Sequence, residues 1–226
     1  MKLEPINQTK LYGLENYFNE LINLYRNQKF PNKILLSGPK GVGKMTLAYH
    51  LVNFILSRDE NYSYDEKNLE INTENRSFKL VLNKTNPNLF LLDVGNEKKN
   101  IDIQQTRNLI SNLNKSSFNK KPRFVLIDNI EFLGYNTMNS LLKIIEEPNQ
   151  NTYFILIDNN KKNFETLFSR CLTFKIFLSN KQTIKILEKL INDRFDNRIN
   201  PDLIDYYISP GNIYNLIKFS EINKID

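Results

Sequence analysis

Lys33-Ile34-Leu35-Leu36-Ser37-Gly38-Pro39-Lys40-Gly41-Val42-Gly43-Lys44-Met45-Thr46 decides how the rest of this 226-residue chain is read. An apolar run enters a turn with three glycines, and the turn enters a segment of helical pattern. The spacing of Gly38, Gly43 and Lys44 is that of a phosphate-binding loop, G-x-x-x-x-G-K-[ST], except that Met45 stands at the last position. Glycines let the backbone wrap an anion with its N–H groups. The following helix directs its positive end at the same point, and the lysine adds a full charge. The hydroxyl usual at the last position joins a Mg²⁺ shell, which a thioether cannot do. The loop predicts nucleotide-binding ancestry, with Gly38, Pro39, Lys40, Gly41, Val42, Gly43, Lys44, Met45 and Thr46 around the phosphates.

Upstream of the loop, Leu11, Leu14, Phe18, Leu21, Ile22 and Tyr25 recur at helical spacing. They predict a helix over 15–28, ended by Phe30-Pro31-Asn32, with a strand at 33–37. Downstream, a helix runs to about residue 56. Residues 57–77 are polar and acidic and read as a partly flexible surface insertion. Strands are expected at 77–82 and 89–93, the second buried within the sheet. A helix follows with Ile103, Leu109, Ile110 and Leu113 inside and Arg107 outside. Next come a buried strand over 123–128, a helix over 136–147 with Met138, Leu141, Leu142 and Ile145 inward and Pro148 as its stop, and a strand over 152–157. A short helix at 163–168 and a strand at 172–177 complete the alternation. That alternation predicts an α/β domain over 1–177, a mostly parallel sheet flanked by helices. From 178 to 226 the pattern is helical only (181–193, 201–207, 212–220), a small all-α unit.

Composition narrows the chemistry. A single cysteine, Cys171, leaves no internal disulfide and no cysteine-based zinc site. A single histidine, His50, argues against a His-ligated metal and a Ser-His-Asp hydrolase. The N-terminal residues have no apolar signal core, and no stretch approaches membrane-spanning length, so a cytoplasmic protein without membrane contact is expected. A net charge of +6 is compatible with nucleic acid or an acidic partner, but Lys, Asn and Ile are abundant throughout.

Asp128 ends its apolar strand where phosphate-loop ATPases keep a Mg²⁺-holding aspartate, and it is the candidate metal residue. In many of them a water-polarising glutamate comes next. Here it is Asn129, which can orient water but is no base. Glu131 is expected on the wrong side of the turn. Ser169-Arg170-Cys171 reads on composition alone as a surface arginine beside a packing cysteine.

Several segments together resemble the clamp-loader AAA+ family of bacterial DNA polymerase III, and its delta-prime branch most. They are the loop through Tyr49, Asn86-Pro87-Asn88, Ile101-Asp102-Ile103-Gln104-Gln105-Thr106-Arg107 and Phe124-Val125-Leu126-Ile127-Asp128. The series continues with Asn139-Ser140-Leu141-Leu142-Lys143-Ile144-Ile145-Glu146-Glu147-Pro148 and Ser169-Arg170-Cys171, in the family's order. Ser209-Pro210-Gly211 is similar to the turn before the last helix of the family's lid. The resemblance implies a RecA-like AAA+ domain with a helical lid. It implies that Arg170 reaches in trans into a neighbour's ATP site as an arginine finger. It admits ATP or ADP and Mg²⁺ as cofactors, and no zinc.

The partners implied are an ATPase subunit, a clamp-opening subunit, the sliding clamp and, through the complex, primer-template DNA. Met45, Asn129 and the lack of an arginine in Asn212-Ile213-Tyr214 depart from the family pattern around one site. They point to a subunit whose own ATP hydrolysis is weak or absent. The family's collar domain is expected to be missing. Two other readings stay open: an autonomous AAA+ ATPase with a non-consensus site, and a DNA-binding module independent of ATP.

Overall fold

The computed structural model describes residues 3–94, 101, 103–115, 118–159, 165–194 and 209–223. The helix expected over 201–207, Asp102 and the start of the helix expected at 163–168 lie outside them. In chain order the elements are α1 (Glu15–Arg26), β1 (Lys33–Ser37), α2 (Lys44–Leu56), α3 (Arg76–Leu82), β2 (Leu89–Leu92), α4 (Ile103–Leu113) and β3 (Arg123–Ile127). They continue with α5 (Tyr135–Glu146), β4 (Thr152–Asp158), α6 (Glu165–Phe168), β5 (Leu172–Lys175), α7 (Asn180–Ile191) and α8 (Pro210–Asn223). The five strands form one parallel sheet in the order β2-β3-β4-β1-β5.

Alternation along the strands divides the core. Ile34, Leu36, Phe124, Leu126, Ile155 and Ile157 face the side covered by α1 and α2. Leu35, Val125, Ile127, Phe154 and Leu156 face the side carrying Leu109, Leu113, Met138, Leu141 and Ile145 of α4 and α5. A period of two on strands buried on both faces gives continuous apolar runs, which is why these strands were legible. Ile103, Ile110 and Leu142 are only half-buried, and Arg107 is exposed as expected. A third cluster joins Leu187 of α7 to Ile213, Tyr214 and Ile217 of α8. Ile186, on the neighbouring face of α7, belongs to the main core, so α7 packs on both.

Three expectations need correction. Residues 77–82 form helix α3, not a strand. The Asn75 side chain accepts from Phe78 N (2.6 Å) as an N-cap and is held by reciprocal amide bonds with Asn53, both residues buried. β2 is an edge strand rather than an interior one, with Leu91 half exposed. The 57–77 segment is pinned to the core by buried Ile71 and Tyr64.

Tyr64 meets fully buried His50. His50 Nε2 lies 3.0 Å from the Gln8 carbonyl oxygen, which can only accept, so Nε2 carries the hydrogen. Nδ1, 2.8 Å from the Tyr64 hydroxyl, is then the acceptor. The sequence's one histidine is thus a core group. Burial, opposed in part by the Gln8 bond, lowers its pKa from 6.5 to about 4. The unfolded chain takes up this proton as pH falls below 6.5, and the folded chain takes it up only near 4. This contribution is complete above pH 6.5 and is lost between 6.5 and 4, an effect of about 3 kcal/mol. Urea unfolding across that window is expected to show the loss in the wild type and a flatter profile in His50→Gln.

Candidate nucleotide site

β1 runs into the loop through Ser37, and the turn needs its glycines. Gly41 and Gly43 have φ of +87° and +95°, the left-handed region that side chains avoid. Gly38 lies against the backbone of Ile176 with no room for a Cβ. Lys44 opens α2 and is buried. Its ammonium folds back to donate 2.7 Å bonds to the carbonyl oxygens of Gly38 and Pro39. Burial lowers its pKa to about 8, against the raising influence of Asp128, Asp158 and Glu131.

The loop floors a cleft of about 220 Å³ whose wall includes Lys40, Lys44, Met45, Thr46, Asp128, Asn129 and Asn159. Its other wall is the start of α8. Ser209 caps that helix, accepting from Asn212 N through Oγ (3.3 Å), and Pro210 takes the first position. Ser209-Pro210-Gly211 is therefore the cap and first turn of α8 itself. Gly211 N donates to Gly41 O at 3.0 Å, and a Cβ on Gly211 would lie 2.8 Å from that oxygen. Asn212 and Asn215 line the cleft, and no arginine does among the described residues. A smaller slot of about 60 Å³, lined by Leu11, Tyr12, Val42, Ile186 and Leu190 among others, adjoins it through Gly41, Gly43 and Gly211.

The strand ends supply a polar network that the sequence did not reveal. Asn129 sits in the left-handed region (φ +54°), a conformation asparagine tolerates. Its Nδ2 donates to Asp93 Oδ1 at 3.0 Å. Asn159, just past β4, donates through Nδ2 to Asn129 Oδ1 (3.0 Å) and Glu131 Oε1 (2.8 Å). Glu131 is therefore not turned away from the site, as expected from its spacing. The 3-10 turn Ile130–Phe132 brings it back beneath the cleft, where it is buried. Glu131 Oε2 and Asp158 Oδ1 are buried without a hydrogen-bond partner. The other oxygen of Asp158 accepts from Ser37 Oγ at 3.0 Å. Adjacency of β4 to β1 and β3 is the only signal that could have found Asn159 and Asp158, and it is a tertiary one.

Asp128 lines the cleft as expected. Burial first, then the Asp93 charge, raises its pKa to about 6, against the Asn129 N–H and Lys44. The folded chain holds this proton up to a higher pH than the unfolded chain does. Stability falls as pH rises from about 3.8 to about 6 and stays reduced above. Asp128→Asn is thus expected to stabilise the chain by about 1–2 kcal/mol at neutral pH in the presence of EDTA, and to change little near pH 3.5, as thermal melts would show. Among the described residues no set of three His, Cys, Asp or Glu side chains is arranged to hold a metal. Met45 is buried and offers no hard ligand. Thr46 and Asp128 are the oxygen donors that could meet a Mg²⁺ carried in on phosphate oxygens.

Arg170 is elsewhere. It precedes β5, whose Leu172 pairs with Ile34 near the N-terminal end of β1. The phosphate loop leaves the C-terminal end of that strand at Gly38, about 13 Å away along β1. Arg170 Nε donates to Glu146 Oε1 at 2.7 Å, an ion pair with both side chains more than a third exposed. Half-buried Cys171 packs against the second core cluster, and burial pushes its thiol up to about 11. It is a packing residue.

Residues 13–179 match the family described as DNA polymerase III, delta subunit. The chain belongs to this family. The DNA polymerase III subunit delta' of Buchnera aphidicola subsp. Baizongia pistaciae is 31% identical over 176 residues, 75% of this chain and 51% of the relative. The subunit gamma of Buchnera aphidicola subsp. Schizaphis graminum is 24% identical over 91% of this chain and 55% of its own. This delta-family chain spans about half the length of the curated relatives it matches. Among solved structures, a DNA polymerase III gamma subunit-related protein from Thermotoga maritima aligns with a TM-score of 0.54 at 17% identity, over 82% of this chain and 53% of that one. The RuvB Holliday junction branch migration motor of the same organism gives 0.51 at 16% identity, over 99% and 69%. These likenesses carry the fold, which is RecA-like AAA+. No helix among the described residues is long and apolar enough to cross a membrane.

Proposed function

We propose that this chain is a delta-prime-type subunit of a bacterial clamp loader, a cytoplasmic component of DNA replication. It would hydrolyse little or no ATP itself and donate Arg170 to a neighbouring ATPase subunit. The observation that carries this reading is the separation of the two functional ends. The phosphate loop and Arg170 occupy opposite ends of one parallel sheet, so the guanidinium cannot serve its own cleft and is exposed where another subunit could meet it. Around its own cleft, Met45 supplies no hydroxyl, Asn129 supplies no base and α8 supplies no arginine. Its partners would be the ATPase and clamp-opening subunits, and through the complex the sliding clamp and primer-template DNA.

The cleft is read as a nucleotide-binding element, with loop N–H groups on the phosphates and the adjoining apolar slot taking a planar base. A bound nucleotide would supply phosphate charge there and join the loop to α8, an architectural use of the site. Asp128 would meet any accompanying Mg²⁺ through water.

Lys44 and Asp128 keep the second reading, an autonomous ATPase, in contention. ATP turnover separates the two. The isolated chain is expected to be silent, while a reconstituted complex hydrolyses ATP in a manner that depends on Arg170. Turnover by the isolated chain that Lys44→Ala abolishes would overturn the proposal.

A further inference from the structure

We infer that Glu131 is a positioning residue that makes the cleft prefer a nucleoside diphosphate to a triphosphate; the inference rests on the nucleotide-binding reading above. An asparagine side chain presents two N–H donors from nitrogen and an acceptor from oxygen, and which end faces a neighbour depends on that neighbour. Here the neighbours are carboxylates at both ends of a chain of four side chains. Glu131 Oε1 accepts from Asn159 Nδ2, and Asp93 Oδ1 accepts from Asn129 Nδ2. A carboxylate accepts only, so each fixes the amide it touches. The link between the amides, Asn159 Nδ2 to Asn129 Oδ1, agrees with both. Turning Asn159 over would set its oxygen against the oxygens of both Asn129 and Glu131, and turning Asn129 over would set oxygen against oxygen at Asp93 and nitrogen against nitrogen at Asn159.

The consequence falls on the cleft. Both hydrogens of the Asn159 amide are used inward, and its oxygen is what remains for the space beside Lys44 and Asp128. A terminal phosphate reaching the strand ends needs donors there. It would meet the Asn159 carbonyl oxygen and the Asp128 carboxyl instead, while two of the three Lys44 hydrogens are engaged by Gly38 and Pro39. The two phosphates nearer the loop face backbone N–H groups and are spared this. Glu131 does not line the cleft. It acts through Asn159.

The test is a pair of affinities, for ADP and for the slowly hydrolysed triphosphate AMP-PNP, titrated calorimetrically against the chain and two variants. The wild type is expected to bind ADP at least about tenfold more tightly, the scale of one unmet hydrogen bond to a charged group. In Glu131→Gln the isosteric amide can donate to a turned Asn159 oxygen, which removes one of the two oxygen contacts holding Asn159 and leaves only that with Asn129 Oδ1 opposing an outward NH₂. The ratio should fall toward one through tighter AMP-PNP binding, with ADP affinity within about twofold of wild type. Asn159→Ala removes the offending oxygen and should also narrow the ratio.

A structural role for Glu131 would weaken both ligands together and leave the ratio unchanged. That outcome, or equal wild-type affinities, overturns the inference while the nucleotide-binding reading stands. Wild type binding neither ligand overturns the reading and the inference with it. If Glu131→Gln does not fold, the wild-type ratio and Asn159→Ala still decide.

Discussion

Arg170→Ala is expected to leave the chain folded and to lower ATP hydrolysis by the reconstituted complex about 10³-fold or more, the range an arginine finger contributes to phosphoryl transfer. The fold should not notice the change. The Glu146 ion pair is solvent-exposed, and such pairs contribute at most about 1 kcal/mol. Melting temperatures of the isolated wild-type and variant chains should therefore nearly coincide. The guanidinium matters because it is planar and permanently charged, with donors arranged to take two phosphate oxygens at once. Arg170→Lys should consequently recover only a small part of the rate. The Glu146 contact holds the side chain near the end of α5 without burying it. A complex whose turnover and clamp loading are unaffected by Arg170→Ala would remove the finger role, whatever the fate of the chain's own cleft.

Gly38→Ala carries the largest expected loss of stability, about 3 kcal/mol or more, and with it any loop-dependent ligand binding. Gly38 stands where β1 becomes the loop. A Cβ there would overlap the carbonyl oxygen of Ile176, and the next contacts are also backbone. Backbone cannot swing aside as a side-chain tip can. Ile176 N in turn donates to Ser37 O at 2.7 Å, and Gly38 N to Asp158 O at 3.3 Å. Moving Ile176 away would therefore disturb the sheet at β5 and the loop origin together. Chemical denaturation of the purified variant measures the loss; a variant as stable as wild type would show that this end of the sheet can spread.

The loop, β1, β3, β4 and the helices that follow them were legible for local reasons. Strands buried on both faces must be apolar along their length, and a phosphate loop must place glycines at fixed offsets. The apolar face of 15–28 needed only a period of 3.6. Residues 77–82 misled because Ser77-Phe78-Lys79-Leu80-Val81-Leu82 alternates in a strand-like manner, while the deciding contact, Asn53 with Asn75, spans 22 positions. The edge position of β2 could not be read either. Strand order is a property of crossovers, and an edge strand carrying Leu89-Phe90-Leu91-Leu92 looks interior.

The candidate site divides in the same way. Lys40, Gly41, Gly43, Lys44, Met45, Thr46 and Asp128, the expected residues that line the cleft, could be picked out by spacing within their strand-loop-helix units. Glu131, Asn159 and Asp158 could not, because their roles arise from three strand ends meeting side by side. Arg170 was named by resemblance alone, and its distance from its own loop follows from β5 running parallel to β1 with its start at the far end.

By itself the sequence determined the alternation of strands and helices, the shape of the phosphate loop and the loss of the Met45 hydroxyl. These are one-dimensional properties, set by period, glycine spacing and side-chain chemistry. Only the tertiary structure decided which amide faces the cleft, where the orphaned carboxylate oxygens lie, how Gly211 closes on Gly41 and which end of the sheet carries Arg170. Those depend on strand order and on hydrogen bonds between segments far apart in the chain, and local pattern carries no record of either.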